Sequence, residues 1–126
     1  MDFSVHYGTK MQFFSIDSEL EVDTIIPSVV QPAENQIYEV EHALENPIGF
    51  DWSSISDNSS IAIAINDKTR PVPHKYLLPP LLNKISKLGV PKEKIKFYIA
   101  TGTHIPMQPE EFSTILASDI LAEYHV

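Results

Sequence analysis

Asp67, Arg70 and His104 are the residues of this chain whose types and spacing could do chemistry. Asp67-Lys68-Thr69-Arg70-Pro71 follows the apolar run Ile61–Ile65 after Asn66, and Thr101-Gly102-Thr103-His104 follows a second run that ends at Ile99-Ala100. An arginine guanidinium is a planar fork that donates two parallel hydrogen bonds and keeps its charge at any neutral pH, so Arg70 suits a carboxylate or phosphate. A histidine accepts and returns a proton near pH 7 without special tuning, which suits His104 to acid/base work. Gly102 lets the backbone ahead of it turn sharply or approach a ligand closely. Asp67 can orient the arginine, accept a bond from a ligand or cap the turn that follows it. The competing structural use of these residues is local: Asp67 and Arg70 pairing to tie down their own turn, and His104 merely packed.

The elements that must position them read as one βαβ unit. Residues 60–65 form an apolar run without alternation, which implies a central strand covered on both faces, as in a parallel sheet. After Pro71 and Pro73 come Tyr76, Leu77, Leu81, Leu82, Ile85 and Leu88, a helical stripe with Lys84 and Lys87 on its wet side. Pro79 and Pro80 are awkward inside a helix, so the regular helix is expected to begin near Pro79 and to stop at Gly89. Residues 94–100 return as a strand. A strand–helix–strand crossover is right-handed and delivers both strand ends to one edge, the carboxyl edge at which open α/β sheets bind ligands. Around this unit the spacing predicts strands over 3–7 and 10–16 joined at Gly8-Thr9 as a hairpin, and a strand over 22–26 stopped by Pro27. It also predicts an amphipathic helix over 34–46 carrying Ile37, Val40, Ala43 and Leu44 on one side. Residues 47–58, with the sole tryptophan Trp52, show no periodicity. Pro109-Glu110-Glu111 opens a further helix, and residues 123–126 lie in or just before another strand. The fold class is therefore α/β, a mainly parallel sheet with a βαβ crossover and flanking helices, plus an N-terminal β-hairpin. No domain boundary is visible, so residues 1–126 are expected to be a single domain, one that looks cut from the N-terminal part of something longer.

Composition narrows the functions available. With 126 residues, 43% of them hydrophobic, the chain can bury a core. Seventeen acidic against nine basic residues give a formal charge of -8, which opposes attraction to nucleic acid or anionic lipid. No cysteine is present, which removes disulfides and thiolate metal sites and fits a reducing compartment. No basic-then-apolar leader and no apolar run near the length of a membrane span occurs, so a cytoplasmic protein is expected, with neither nucleic acid nor membrane as partner. His6, His42, His74 and His125 read as structural or solvent-facing. No His-x-His, His-Glu-x-x-His or carboxylate cluster is present, and no metal site is expected within these residues.

Taken together, Tyr7-Gly8, Ala43-Leu-Glu-Asn-Pro47-Ile-Gly49, Asp67-Lys-Thr-Arg70-Pro71, Leu78-Pro-Pro-Leu-Leu82, Ala100-Thr-Gly-Thr-His104 and Glu110-Glu111 fall in the order and approximate spacing of a known family. The chain resembles, over nearly its whole length, the N-terminal domain of the nickel-pincer nucleotide-dependent lactate racemases, which racemise or epimerise α-hydroxy acids. The resemblance implies a cofactor that takes a hydride from the substrate's α-carbon and returns it to either face, while two histidines alternate as acid and base on the substrate hydroxyl. It assigns His104 to the first of these histidines and Arg70 to the active-site arginine that holds a substrate carboxylate. Asp67 takes an orienting or cofactor-contacting role, with Thr69 and Gly102 beside it as cofactor-binding positions. The partners implied are a small 2-hydroxy acid and the remainder of a parent chain. That remainder would carry the second histidine, the lysine that attaches the cofactor and the nickel-ligating histidine. No covalently bound cofactor and no turnover are therefore expected of these 126 residues alone. Many relatives carry an arginine after the histidine where this chain has Ile105, which removes an anion contact and points toward a larger hydroxy acid or sugar acid. The alternative from another class is a noncatalytic ligand-binding or interaction α/β module.

Overall fold

A computed structural model describes residues 1–126, and the chain divides into two compact units, Met1–Pro32 and Ala33–Val126. In the first, β1 (Asp2–Tyr7) and β2 (Lys10–Ser15) pair antiparallel in a register that sets Tyr7 opposite Lys10. The two-residue turn needs a positive φ at its first position, and Gly8 supplies it at +62° while Thr9 stays negative, the φ pattern of a type II′ turn. Phe3 and Phe14, directly opposite, stack with ring centroids 5.8 Å apart. The strand expected over residues 22–26 does not form. Residues 21–32 hold no helix or strand, and Ile25 and Ile26 are 94% and 78% exposed. The run is short and Pro27 cannot donate to a ladder, so β-propensity without a partner strand leaves it outside any ladder and exposed to solvent.

In the second unit, α1 (Gln36–Glu45) starts at Asn35, whose Oδ1 accepts from the Tyr38 amide at 3.0 Å. The half-buried Val40 and Leu44 lie on the side of α1 that packs against α2 (His74–Lys87). Trp52, for which the sequence offers no role, locks this pair together. Its indole N–H donates to the Leu44 carbonyl at 2.7 Å, satisfying one of the last orphan acceptors of α1, and the Lys84 ammonium of α2 stands 5.6 Å from its ring centroid.

β3 (Ile61–Asn66) and β4 (Ile95–Ala100) pair in parallel, Ile61 opposite Ile95 through Asn66 opposite Ala100, with α2 as the crossover between them. Ile65, Ile95 and Phe97 are buried in a core completed by Leu78, Leu82 and Ile85 of α2, with Val90, Leu116 and Ile120. Each such side chain withdrawn from water contributes about 1.5–3 kcal/mol. The alternate residues Ala62, Ala64, Lys96 and Tyr98 are exposed, so β3 is covered on one face rather than both. Alanine is apolar enough to prolong the run yet small enough to tolerate water, and this hid a one-sided alternation. β3 is also not the inner strand. β4 is, since the Phe97 amide donates to the His125 carbonyl at 2.8 Å on its other side, where a parallel bridge joins Lys96 and His125.

α2 corrects a second expectation. It begins at His74 rather than near Pro79, with Pro79 and Pro80 inside it. The Tyr76 and Leu77 amides both donate to the Pro73 carbonyl and nucleate the first turn ahead of the prolines. Burial of Leu78, Pro80, Leu82 and Ile85 outweighs the two helical bonds that Pro79 and Pro80 cannot give to the Lys75 and Tyr76 carbonyls. Gly89, φ +85°, ends the helix as expected, its amide donating to the Ser86 carbonyl. Pro109–Thr114 is a 3₁₀ helix, entered through a Gln108 amide that donates to the Glu111 carboxylate at 3.0 Å, and α3 (Ser118–Glu123) follows it. No helix is long and apolar enough to cross a membrane.

Candidate active site

The carboxyl ends of β3 and β4 open into two turns side by side. After β3 the chain turns back at once, the Arg70 amide donating to the Asp67 carbonyl at 3.2 Å. After β4 the His104 amide donates to the Thr101 carbonyl at 3.0 Å, across Gly102 at φ +59°. A Cβ built on Gly102 would meet no atom within 4 Å, so the glycine serves the backbone angle and leaves that side of the turn open.

These turns bring Asp67, Thr69 and His104 together. Asp67 is only 2% exposed, and its carboxylate is fully engaged. Oδ1 accepts from the Thr69 amide at 3.1 Å and from the Thr69 hydroxyl at 2.6 Å, while Oδ2 lies 2.7 Å from His104 Nδ1. The Thr69 hydroxyl donation, then the His104 bond, hold the Asp67 carboxyl below its ordinary pKa. An ionised carboxylate only accepts, so the proton between the two residues sits on Nδ1 and donates to Asp67. The Nε2 lone pair of His104 is thereby left free, on a side chain 45% exposed. His104 borders an open cavity of about 620 Å³, with Ile105, Pro106, Met107 and Thr103. A buried carboxylate fixing the tautomer of an exposed imidazole is the arrangement of a general base.

Arg70 does not pair with Asp67, so the local ion pair that the spacing allowed is not formed. Its guanidinium is exposed at a neighbouring depression of about 310 Å³, bordered also by Lys68, His74 and Lys75. Lys68 borders both depressions and forms an ion pair with Glu111, whose carboxyl it holds below the usual range with help from the Gln108 amide. The four remaining histidines lie apart from the dyad. His74 is buried, its Nδ1 3.1 Å from the Ile115 carbonyl, a bond that ties α2 to the end of the 3₁₀ segment; His6, His42 and His125 are exposed. No cluster of three or more His, Asp or Glu is placed to hold a metal ion.

Two features of the site escaped sequence reasoning. Asp-x-Thr is a spacing at which an aspartate accepts from the amide and hydroxyl two residues on, so the bracing of Asp67 by Thr69 had a local signal. The Lys68–Glu111 pair had none, because it spans two loops.

Comparison with known proteins gives the geometry a family. Residues 7–126 match the lactate racemase N-terminal domain. A lactate racemase of Lactiplantibacillus plantarum is 36% identical over 84 residues, which cover 65% of this chain and 20% of that protein. A lactate racemase of Thermoanaerobacterium thermosaccharolyticum is 36% identical over 86 residues, again 65% of this chain and 20% of the relative. The aligned residues thus span about a fifth of the length of these relatives, and the family match takes in both turns that carry Asp67, Thr69, Arg70 and His104. The chain belongs to the lactate racemase N-terminal domain family.

Proposed function

We propose that this chain supplies one half of the active site of a cytoplasmic 2-hydroxy acid racemase, with His104 as an acid/base on the substrate hydroxyl. The observation that carries the reading is the 2.7 Å contact between buried Asp67 and exposed His104, which leaves Nε2 free on a residue that borders an open cavity. In this reading Nε2 takes the proton of the α-hydroxyl as the α-hydrogen leaves, and Asp67 stabilises the imidazolium that results. Proton transfer of this kind contributes roughly 10²–10⁴-fold to rate. Arg70, exposed and unpaired at the neighbouring depression, holds the substrate carboxylate with its two-pronged fork and prevents the acid from tumbling between the two half-reactions.

A nickel-pincer nucleotide, when bound, supplies the acceptor and donor for the α-hydrogen. The residues of this chain fit contacts to its anionic organic part. Gly102 leaves open space beside the backbone, and Arg70 puts an unpaired positive charge at the neighbouring depression, with Lys68, paired to Glu111, bordering both. No metal ligand is assigned to these residues. Inversion requires an acid/base on each face of the substrate, and the second, like the lysine that attaches the cofactor, is proposed to come from the remainder of a parent chain.

Ile105 favours a substrate larger than lactate. It is 89% exposed and borders the cavity beside His104, where an apolar side chain of the substrate would cover it. A chiral-chromatography assay of the cofactor-loaded parent, with lactate beside 2-hydroxy acids bearing longer side chains, tests both statements. Racemisation that favours a longer acid is expected. Racemisation of lactate alone would refute the size preference, and inversion of none of them would refute the racemase reading.

A further inference from the structure

We infer that Thr69 is a positioning residue for His104, acting through Asp67: its hydroxyl saturates one carboxylate oxygen and leaves the other to accept from the imidazole. The inference rests on the acid/base reading above and deepens it. Asp67 is 2% exposed, and no side-chain cation pairs with it except His104 when protonated. Arg70, Lys68 and Lys75 all lie in the same region, yet none of them bonds to it; Lys68 is spent on Glu111. The carboxylate's negative charge is therefore held chiefly by neutral donors, and two of the three come from Thr69.

The geometry shows why the hydroxyl matters more than the amide. Thr69 Oγ1 lies 2.6 Å from Asp67 Oδ1 and 3.3 Å from His104 Nδ1, so it stands at the third corner of the dyad. A hydroxyl has one proton, and here it goes to Oδ1, so Oγ1 can offer Nδ1 only a lone pair. Both Thr69 Oγ1 and Asp67 Oδ2 thus present acceptors to Nδ1, and neither offers a donor. That arrangement favours a proton on Nδ1 and the lone pair on Nε2. Without the hydroxyl, Oδ1 keeps only the 3.1 Å bond from the Thr69 amide, the carboxylate can swing away from the imidazole, and the preference for one tautomer weakens. The committed proton also means that the Thr69 side chain cannot donate to an anionic cofactor.

The test is the tautomer of His104, read from its two ring ¹⁵N chemical shifts in the 126-residue protein at a pH where the imidazole is neutral. The parent sequence is expected to carry its proton on Nδ1. Thr69→Val, which keeps the shape and removes the hydroxyl, is expected to give a mixture, and Thr69→Ser to restore the single Nδ1–H form. Thr69→Ala probes the same bond without the branched side chain, and each variant's amide spectrum reports whether the fold is kept. An unchanged Nδ1–H tautomer in folded Thr69→Val or Thr69→Ala would overturn the inference, as would an Nε2–H tautomer in the parent sequence. Because the readout is a spectroscopic state and not turnover, the role of Thr69 can fail while His104 remains the proposed base.

Discussion

Asp67 places a negative charge where water hardly reaches, and three donors from Thr69 and His104 keep it there. The same bonds that lower its pKa from the ordinary value of 3.8 make folding sensitive to acid. With the folded pKa below the unfolded one, the ionised carboxylate contributes stability that is fully present above about pH 4–5. That contribution is lost as pH falls through the depressed folded value. Asp51 and Glu111 are shifted in the same direction and share this acid limb. Asp67→Asn is therefore expected to flatten, without abolishing, the fall of the thermal midpoint between about pH 5 and 2; an acid limb as steep as that of the parent sequence would show that Asp67 gains nothing from its partners. The sequence placed these residues at one sheet edge but left their wiring open. The types and positions of Asp67, Arg70 and His104 announced an anion-gripping cation and a proton carrier at one sheet edge. Which of them bonds to which depended on side-chain reach across two turns 37 residues apart, and Asp67 reaches His104 while Arg70 stays free.

Two prolines and two alanines account for most of what the elements concealed. The alternation of Ile61, Ile63 and Ile65 with Ala62 and Ala64 is a one-faced strand, although its composition alone resembles a strand buried on both sides. In α2, Pro79 and Pro80 break the rule that a helix excludes proline from its interior, because the core contacts of Leu78, Leu82 and Ile85 fix the chain on either side of them. Pro79 is exposed, so it contributes the cost of a missing helical bond with little packing in return. Pro79→Ala restores a donor for the Lys75 carbonyl and is expected to raise unfolding stability by about 1–2 kcal/mol, once the greater freedom of the unfolded chain is subtracted. The urea midpoint measures it, and an unchanged or lower midpoint would contradict the placement of Pro79 within a regular helical turn. By contrast, the hairpin at Gly8-Thr9, the helix after Asn35 and the stop at Gly89 were plain from local chemistry. Each depends on neighbours within a few residues rather than on a distant surface.

On the scale of the whole molecule, the chain carries a formal charge of -8, yet the cations Lys68, Arg70 and Lys75 gather around one depression after β3. A local positive edge on an acidic protein suits a small anion better than a polyanion such as nucleic acid. The family match spans residues 7–126 and so includes this edge, while the 84 and 86 residues aligned to the two lactate racemases are only 20% of those proteins. The central claim, that His104 moves the proton of the substrate hydroxyl, is tested most directly by His104→Ala in the cofactor-loaded parent chain proposed above. Chiral chromatography is expected to show racemisation falling by about 10²-fold or more while the bound nickel and cofactor, measured by metal analysis and intact mass, stay at parent levels. Racemisation at the parent rate with cofactor retained would contradict the account.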